Sequence, residues 1–216
     1  YTVMIDTNEA TPEARSFTHP DFDPVWARFA DGDVPMILHI AVNGHYDPVS
    51  PSFKNNGRRS TAVGGDAPDT TLGLVAMNNS VEMFLSAMIL DEVFERHDRL
   101  RCLSLEHGAS WVPGWLHKLD FVGHTTRHAA PRDRPASEIA RERVRFAPFA
   151  GEPVGWLIEQ LGPDMLCFAS DYPHPEGSSD PIAKFEAAMA GIDPIACDAF
   201  YAGNIERFLG HTSVVV

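Results

Sequence analysis

The stretch Met165-Leu-Cys-Phe-Ala-Ser-Asp-Tyr-Pro-His-Pro-Glu-Gly177 decides how this sequence folds. Met165 to Ala169 are apolar or small without a break, which suits a buried parallel strand. Pro173 and Pro175 forbid its continuation past Ser170-Asp171. Asp171 is therefore placed at the carboxyl end of a buried strand, with His174 just beyond it in a turn. In parallel α/β folds that edge carries the chemistry. A plainer reading makes Asp171 a cap for the next element and His174 an exposed loop histidine. Two further strand ends weigh against it.

Outward from this stretch, strands alternate with helices. Val3–Ile5, Met36–Ile40, Leu100–Leu105 and Val144–Phe149 are the other predicted strands, which makes five. Asp23-Pro24 reads as the N-cap and first residue of a helix. Val81, Phe84, Leu85, Met88, Ile89 and Val93 recur at helical spacing, with Arg96-His97 suited to the negative end of that helix. Ser110 is placed to cap a helix bearing Trp111 and Trp115. Glu152-Pro153 starts a helix over Val154–Leu161, and Gly162-Pro163 ends it. Asp180-Pro181 and Asp193-Pro194 each start another. Residues 43–79 form a long connection rich in Gly, Pro, Asn and Ser, a length that marks a functional or unstructured loop. His45, Arg58 and Arg59 in it are candidates to meet an anionic substrate, although a solvated loop accounts for them equally well.

The 216 residues, 44% hydrophobic and 22% charged, suffice to bury the core of one globular domain. No domain linker interrupts residues 1–216. A net charge of -13 makes nucleic acid or a polyanion a poor partner. No apolar run is read as a membrane span. The partner expected is a small-molecule substrate, and a homodimer is compatible with the sequence. Cys102, Cys167 and Cys197 are odd in number and far apart, so they read as free thiols of a reducing, cytoplasmic compartment.

Three predicted strands end in a group able to bind a metal or move a proton: His39, His107 and Asp171. The interval from His107 to Asp171 fits two βα units of roughly 30 residues each. Strand order then brings all three to one rim of a parallel sheet or barrel. Imidazole with carboxylate suits Zn, Mn or Fe. Such a metal lowers the pKa of bound water toward ~7. A lone strand-end histidine is more often structural; three such residues on strand ends along one chain favour a site. His124 and His128 have helical metal spacing but lack the glutamate of a zincin pattern. No serine-hydrolase elbow, phosphate loop or dinucleotide fingerprint occurs.

Ala169–Gly177, Glu106-His-Gly-Ala-Ser-Trp-Val-Pro113, Leu38-His39 after Val34-Pro35, and Gly203-Asn204 together resemble the amidohydrolase-2 family. That family holds metal-dependent hydrolases and non-oxidative decarboxylases such as aminocarboxymuconate-semialdehyde decarboxylase. The resemblance implies a (β/α)8 barrel of TIM-barrel type, of which this chain supplies about the last five βα units. It implies that His39 and Asp171 bind a divalent metal, Zn first and Mn or Fe otherwise. It implies that His107 binds that metal or acts as acid and base, that Asp171 also takes a proton, and that Asn204 is structural. His174, His45 and Arg58 become candidates to bind substrate, with 43–79 as an active-site loop. The activity implied is metal-dependent hydrolysis of a small cyclic or acidic substrate, or decarboxylation of an aromatic or unsaturated acid. The family's His-x-His after the first strand does not occur here. The chain by itself is therefore expected to hold metal weakly and to be inactive. A truncated or degenerate binding protein is the reading from another class.

Overall fold

Three short parallel strands, β1 (Met36–Leu38), β2 (Cys102–Ser104) and β3 (Val144–Phe146), form a sheet in the order β1-β2-β3. Their register sets Leu38 beside Ser104 and Ser104 beside Phe146. The segment after Met165 lies next to β3: Phe146 pairs with Leu166, and the Cys167 N–H donates to the Phe146 carbonyl at 2.9 Å. Four of the five predicted strands thus lie side by side in chain order. The computed structural model describes residues 15–40, 51–57, 71–125, 134–174 and 177–210. Val3–Ile5, His45, Arg58, Arg59 and His128 lie outside them.

Helices connect and cover the strands. α1 spans Asp23–Asp31, and α2 and α3 are short, Pro51–Lys54 and Thr71–Ala76. α4 (Asn79–Leu90), α5 (Val93–Arg96), α6 (Val112–Thr125) and α7 (Ala136–Arg143) follow. α8 (Val154–Leu161), α9 (Pro181–Ala188), α10 (Pro194–Asp198) and α11 (Asn204–Leu209) are the last helices among the described residues. The described parts of the connection 43–79 hold α2 and α3, so it is not the wholly irregular loop its glycines suggest.

Strand alternation divides the sheet's two faces. Met36, Leu38, Cys102, Val144, Phe146 and Leu166 all pack into the main core with the helices. Leu103 and Cys167 belong to a separate cluster with Phe208 of α11. Burial pushes the Cys167 thiol up to about 12, so it stays a thiol. Buried Trp115 and partly buried Trp111 meet the core Phe146 ring edge-on at 6.0 and 5.5 Å. Each fully buried side chain of this size contributes about 1.5–3 kcal/mol.

Two end signals act differently from their sequence reading. Asp23 is the first residue of α1, and a 3-10 turn at Pro20–Phe22 precedes it. Its carboxylate is taken by Arg96 at 3.0 Å and His97 at 3.2 Å, so these three residues tie α1 to α5 instead of tending helix ends. Arg96, with help from His97, holds the Asp23 carboxyl below the usual range. The stretch Thr71–Leu90 is, by length and composition, apolar enough to cross a membrane. Its second half packs Val81, Phe84, Leu85, Met88 and Ile89 into the core.

Asp180 caps α9 as predicted, accepting from the Ala183 N–H at 3.2 Å. Asp180→Ala should cost about 1 kcal/mol in urea unfolding and leave metal content unchanged. Asn204 is buried, and its amide donates to the Pro163 and Leu166 carbonyls at 2.7 Å each. It anchors α11 against the segment that leads to Asp171. Asn204→Ala strands two carbonyls and should cost about 2 kcal/mol by the same measurement.

Candidate metal centre and pocket

Residues just past the strands gather at the carboxyl edge. In the register above, His39, Leu105 and Ala147 occupy the next level beyond Leu38, Ser104 and Phe146. A cavity of about 240 Å³ opens there, lined by Leu105, Glu106, Phe149, Asp171, Gly177 and Ser178 among others. Most of its wall is apolar; the carboxylates of Glu106 and Asp171 are its charged part.

Alternation along β2 places Ser104 toward the helices, Leu105 away, Glu106 toward the helices and His107 away. The backbone breaks that pattern. Glu106 takes φ 60°, the left-handed region that side chains with a Cβ rarely adopt. Beyond the twist, Glu106 lines the pocket, and His107 Nδ1 lies 3.1 Å from Ser104 Oγ in the buried shell. Asp171 also takes a left-handed backbone, φ 54°. The sequence pattern therefore picks His107 where the geometry presents Glu106. A left-handed glutamate leaves no mark in a periodicity; its one sequence signal is a carboxylate at a strand end beside a histidine and Gly108.

One donor atom each from Glu106, Asp171 and His174 lie within 4.8 Å of one another. His39 Nε2 stands 2.9 Å from Glu106 Oε1, and His174 Nδ1 3.7 Å from Asp171 Oδ1. The other ring nitrogen of His39 faces the Ile40 carbonyl at 3.0 Å, the kind of contact that orients a ligating histidine. The structure thus brings Asp171 and His174 together, adds Glu106, and sets His39 against Glu106. His107 stands apart, beside Ser104. Burial works to raise the Glu106 carboxyl. The hydrogen bond and charge of His39, a hydrogen bond with Asp171 and the charge of His174 outweigh it, so the carboxyl titrates below its usual range. Burial, then the His39 charge, push His107 down to about 4, against the opposing pull of Glu106. His107 is therefore neutral at neutral pH.

Glu152 holds the loop in place. Its carboxylate accepts from the backbone N–H groups of Ala109 at 3.0 Å, Ser110 at 2.7 Å and Phe149 at 2.6 Å. The loop after β2 is thereby tied to the loop after β3. Gly108 has φ 63°, and a Cβ there would meet Phe149 and Glu152 at 3.1–3.2 Å. At Gly177 a Cβ would lie 2.7 Å from the Asp171 carbonyl, so glycine lets the chain close back on Asp171. The sequence reading takes Glu152 for a helix start and misses this clamp. The donor chemistry fits a divalent cation: two carboxylates and an imidazole in mutual reach, with a second imidazole against one of them.

The family model described as Amidohydrolase matches residues 2–211. The chain belongs to the amidohydrolase family. Among solved structures, this amidohydrolase chain is similar to an amidohydrolase from Mycobacterium avium subsp. paratuberculosis K-10. The two are 26% identical with a TM-score of 0.74, over 91% of this chain and 47% of that one. A 5-carboxyvanillate decarboxylase from Sphingomonas paucimobilis is 22% identical, TM-score 0.63, over 95% and 57%. A dihydroxybenzoic acid decarboxylase from Polaromonas sp. JS666, with bound manganese and an inhibitor, is 17% identical, TM-score 0.65, over 93% and 57%. The last two likenesses establish fold. The chain spans about half the length of these structures. Its fold is the TIM-barrel-like α/β fold of this amidohydrolase group, with a parallel sheet.

Proposed function

We propose that the protein is a metal-dependent hydrolase acting on a small cyclic or acidic substrate at the rim formed by Glu106, Asp171, His174 and His39. The observation that carries this is the cluster of Glu106, Asp171 and His174, with His39 against Glu106, beside a pocket that Glu106 and Asp171 line. A divalent cation held there supplies Lewis-acid polarisation of a substrate oxygen or of water. His39 and Asp171 hold it, with Zn or the manganese of the Polaromonas structure as candidates. Asp171 also takes a proton during turnover. His174, half exposed beside Asp171, faces the substrate. His107 has a secondary part in proton transfer, so His107→Ala should lower turnover less than Asp171 variants do, with metal retained.

The chain corresponds in this reading to about the last five βα units of an eight-stranded barrel, and it forms one domain. That is supported by the order of the strands and by its coverage of 47% of the Mycobacterium structure. Residues 43–79 leave the strand end that bears His39, which supports a role as a cover that selects substrate.

Decarboxylation of an aromatic or unsaturated acid is the second reading. It is favoured by the apolar wall of Leu105, Ala147, Phe149 and Ala169, which suits a flat ring, and by the decarboxylases that share the fold. Turnover in isotopically labelled water separates the two. Hydrolysis puts solvent oxygen-18 into the product. Decarboxylation releases carbon dioxide and puts solvent deuterium on carbon. A purified, metal-loaded protein that turns over neither esters, amides and lactones nor phenolic and unsaturated acids would contradict both.

A further inference from the structure

We infer that Glu106, and not its neighbour His107, is the metal ligand contributed by the edge of β2, where it joins Asp171 and His174. The inference rests on the metal-dependent reading above and changes its ligand set. Two atoms bound to one ion at ~2.0–2.2 Å can be no more than about 4.4 Å apart. Donors of Glu106, Asp171 and His174 already lie within 4.8 Å of one another, a few tenths of an ångström from that limit. Glu106 Oε1 lies 2.9 Å from His39 Nε2, an ion pair that holds the carboxylate at this edge. The Glu106 side chain is largely buried yet lines the cavity. The twist at φ 60° brings it there, and the same twist leaves His107 beside Ser104. The clamp of Glu152 on Ala109 and Ser110 fixes the chain just after the twist.

The ligand set has a chemical consequence. Two carboxylates offset the charge of a divalent ion, and oxygen donors suit manganese better than an all-imidazole set does. Replacing Glu106 by histidine keeps a donor but exchanges oxygen for nitrogen, so it should raise affinity for zinc relative to manganese.

The test is titration of Mn2+ alone and Zn2+ alone into the purified complete protein and its variants, followed by calorimetry and by the electron paramagnetic resonance of Mn2+. Glu106→Gln should weaken Mn2+ binding by more than the roughly 10–100-fold that loss of an outer partner costs, and alter the Mn2+ spectrum. His107→Asn, which keeps a polar group toward Ser104, should leave both unchanged. If Glu106→Gln does not fold, Glu106→His should still show the shift toward zinc. Unchanged Mn2+ affinity in Glu106→Gln, with metal lost in Asp171→Asn, would overturn the inference and leave the proposed function standing. Metal lost in His107→Asn but kept in Glu106→Gln would overturn it in favour of His107. A Glu106→His protein with the parent's zinc-to-manganese preference would also overturn it. A parent protein that binds neither ion would overturn both readings.

Discussion

In the complete protein, Asp171→Asn should strip the metal and lower turnover by about 10²–10⁴ while the fold stays intact. Asparagine has nearly the same shape as aspartate but carries no charge and offers one carbonyl oxygen. The donor group loses one of its two negative charges, so the attraction that holds a divalent ion falls. The proton acceptor at that position is lost as well. Folding should hardly notice, because Asp171 stands at the pocket rim, past the segment whose apolar residues fill the core. Turn closure depends on the Asp171 carbonyl, which accepts from the His174 N–H at 2.9 Å and survives the change. Elemental analysis, turnover and thermal unfolding of the variant check this. Full metal occupancy in Asp171→Asn would remove the residue from the ligand set.

Glu152→Ala should cost about 2–4 kcal/mol of stability, given three charge-assisted hydrogen bonds of about 1.5–3 kcal/mol that do not add fully. The carboxylate is the shared acceptor for the N–H groups of Ala109, Ser110 and Phe149. Ala109 and Ser110 lie just before α6, where a negative charge also offsets the helix dipole. Removing it leaves the fully buried Ala109 N–H without this partner, and water reaches that site poorly. Freed from the clamp, the loop bearing Glu106 should exchange its amide hydrogens faster, and metal affinity should fall with it. Urea unfolding together with hydrogen exchange over 104–112 measures both. A loss under ~1 kcal/mol with unchanged exchange would reduce Glu152 to an ordinary surface carboxylate.

How far the sequence could be read depends on whether a feature is periodic. The run from Met165 to Ala169 is found beside β3, and both ends of α8 match the Glu152-Pro153 and Gly162-Pro163 signals. Asp171 meets Glu106, and Glu106 meets His39, because the carboxyl ends of parallel strands share one edge. Glu106 is hidden because the sequence marks only His107 at that strand end, while one left-handed residue turns Glu106 into the pocket. Asp23 was misjudged for a related reason: a cap signal is local, but its carboxylate is claimed by Arg96 and His97 from far along the chain. Glu152 has the same explanation, since its three N–H partners come from two different loops. Local signals are legible in sequence; a side chain recruited across the fold is not.

A divalent ion at this edge sits either with Glu106 and Asp171 or beside His107. Anomalous diffraction from crystals of the protein soaked with Zn2+ measures this directly. The predicted result is one strong peak at the pocket, at ~2.0–2.2 Å from oxygens of Glu106 and Asp171. A peak beside His107 and Ser104, or no peak at the pocket at full soaking, would contradict it.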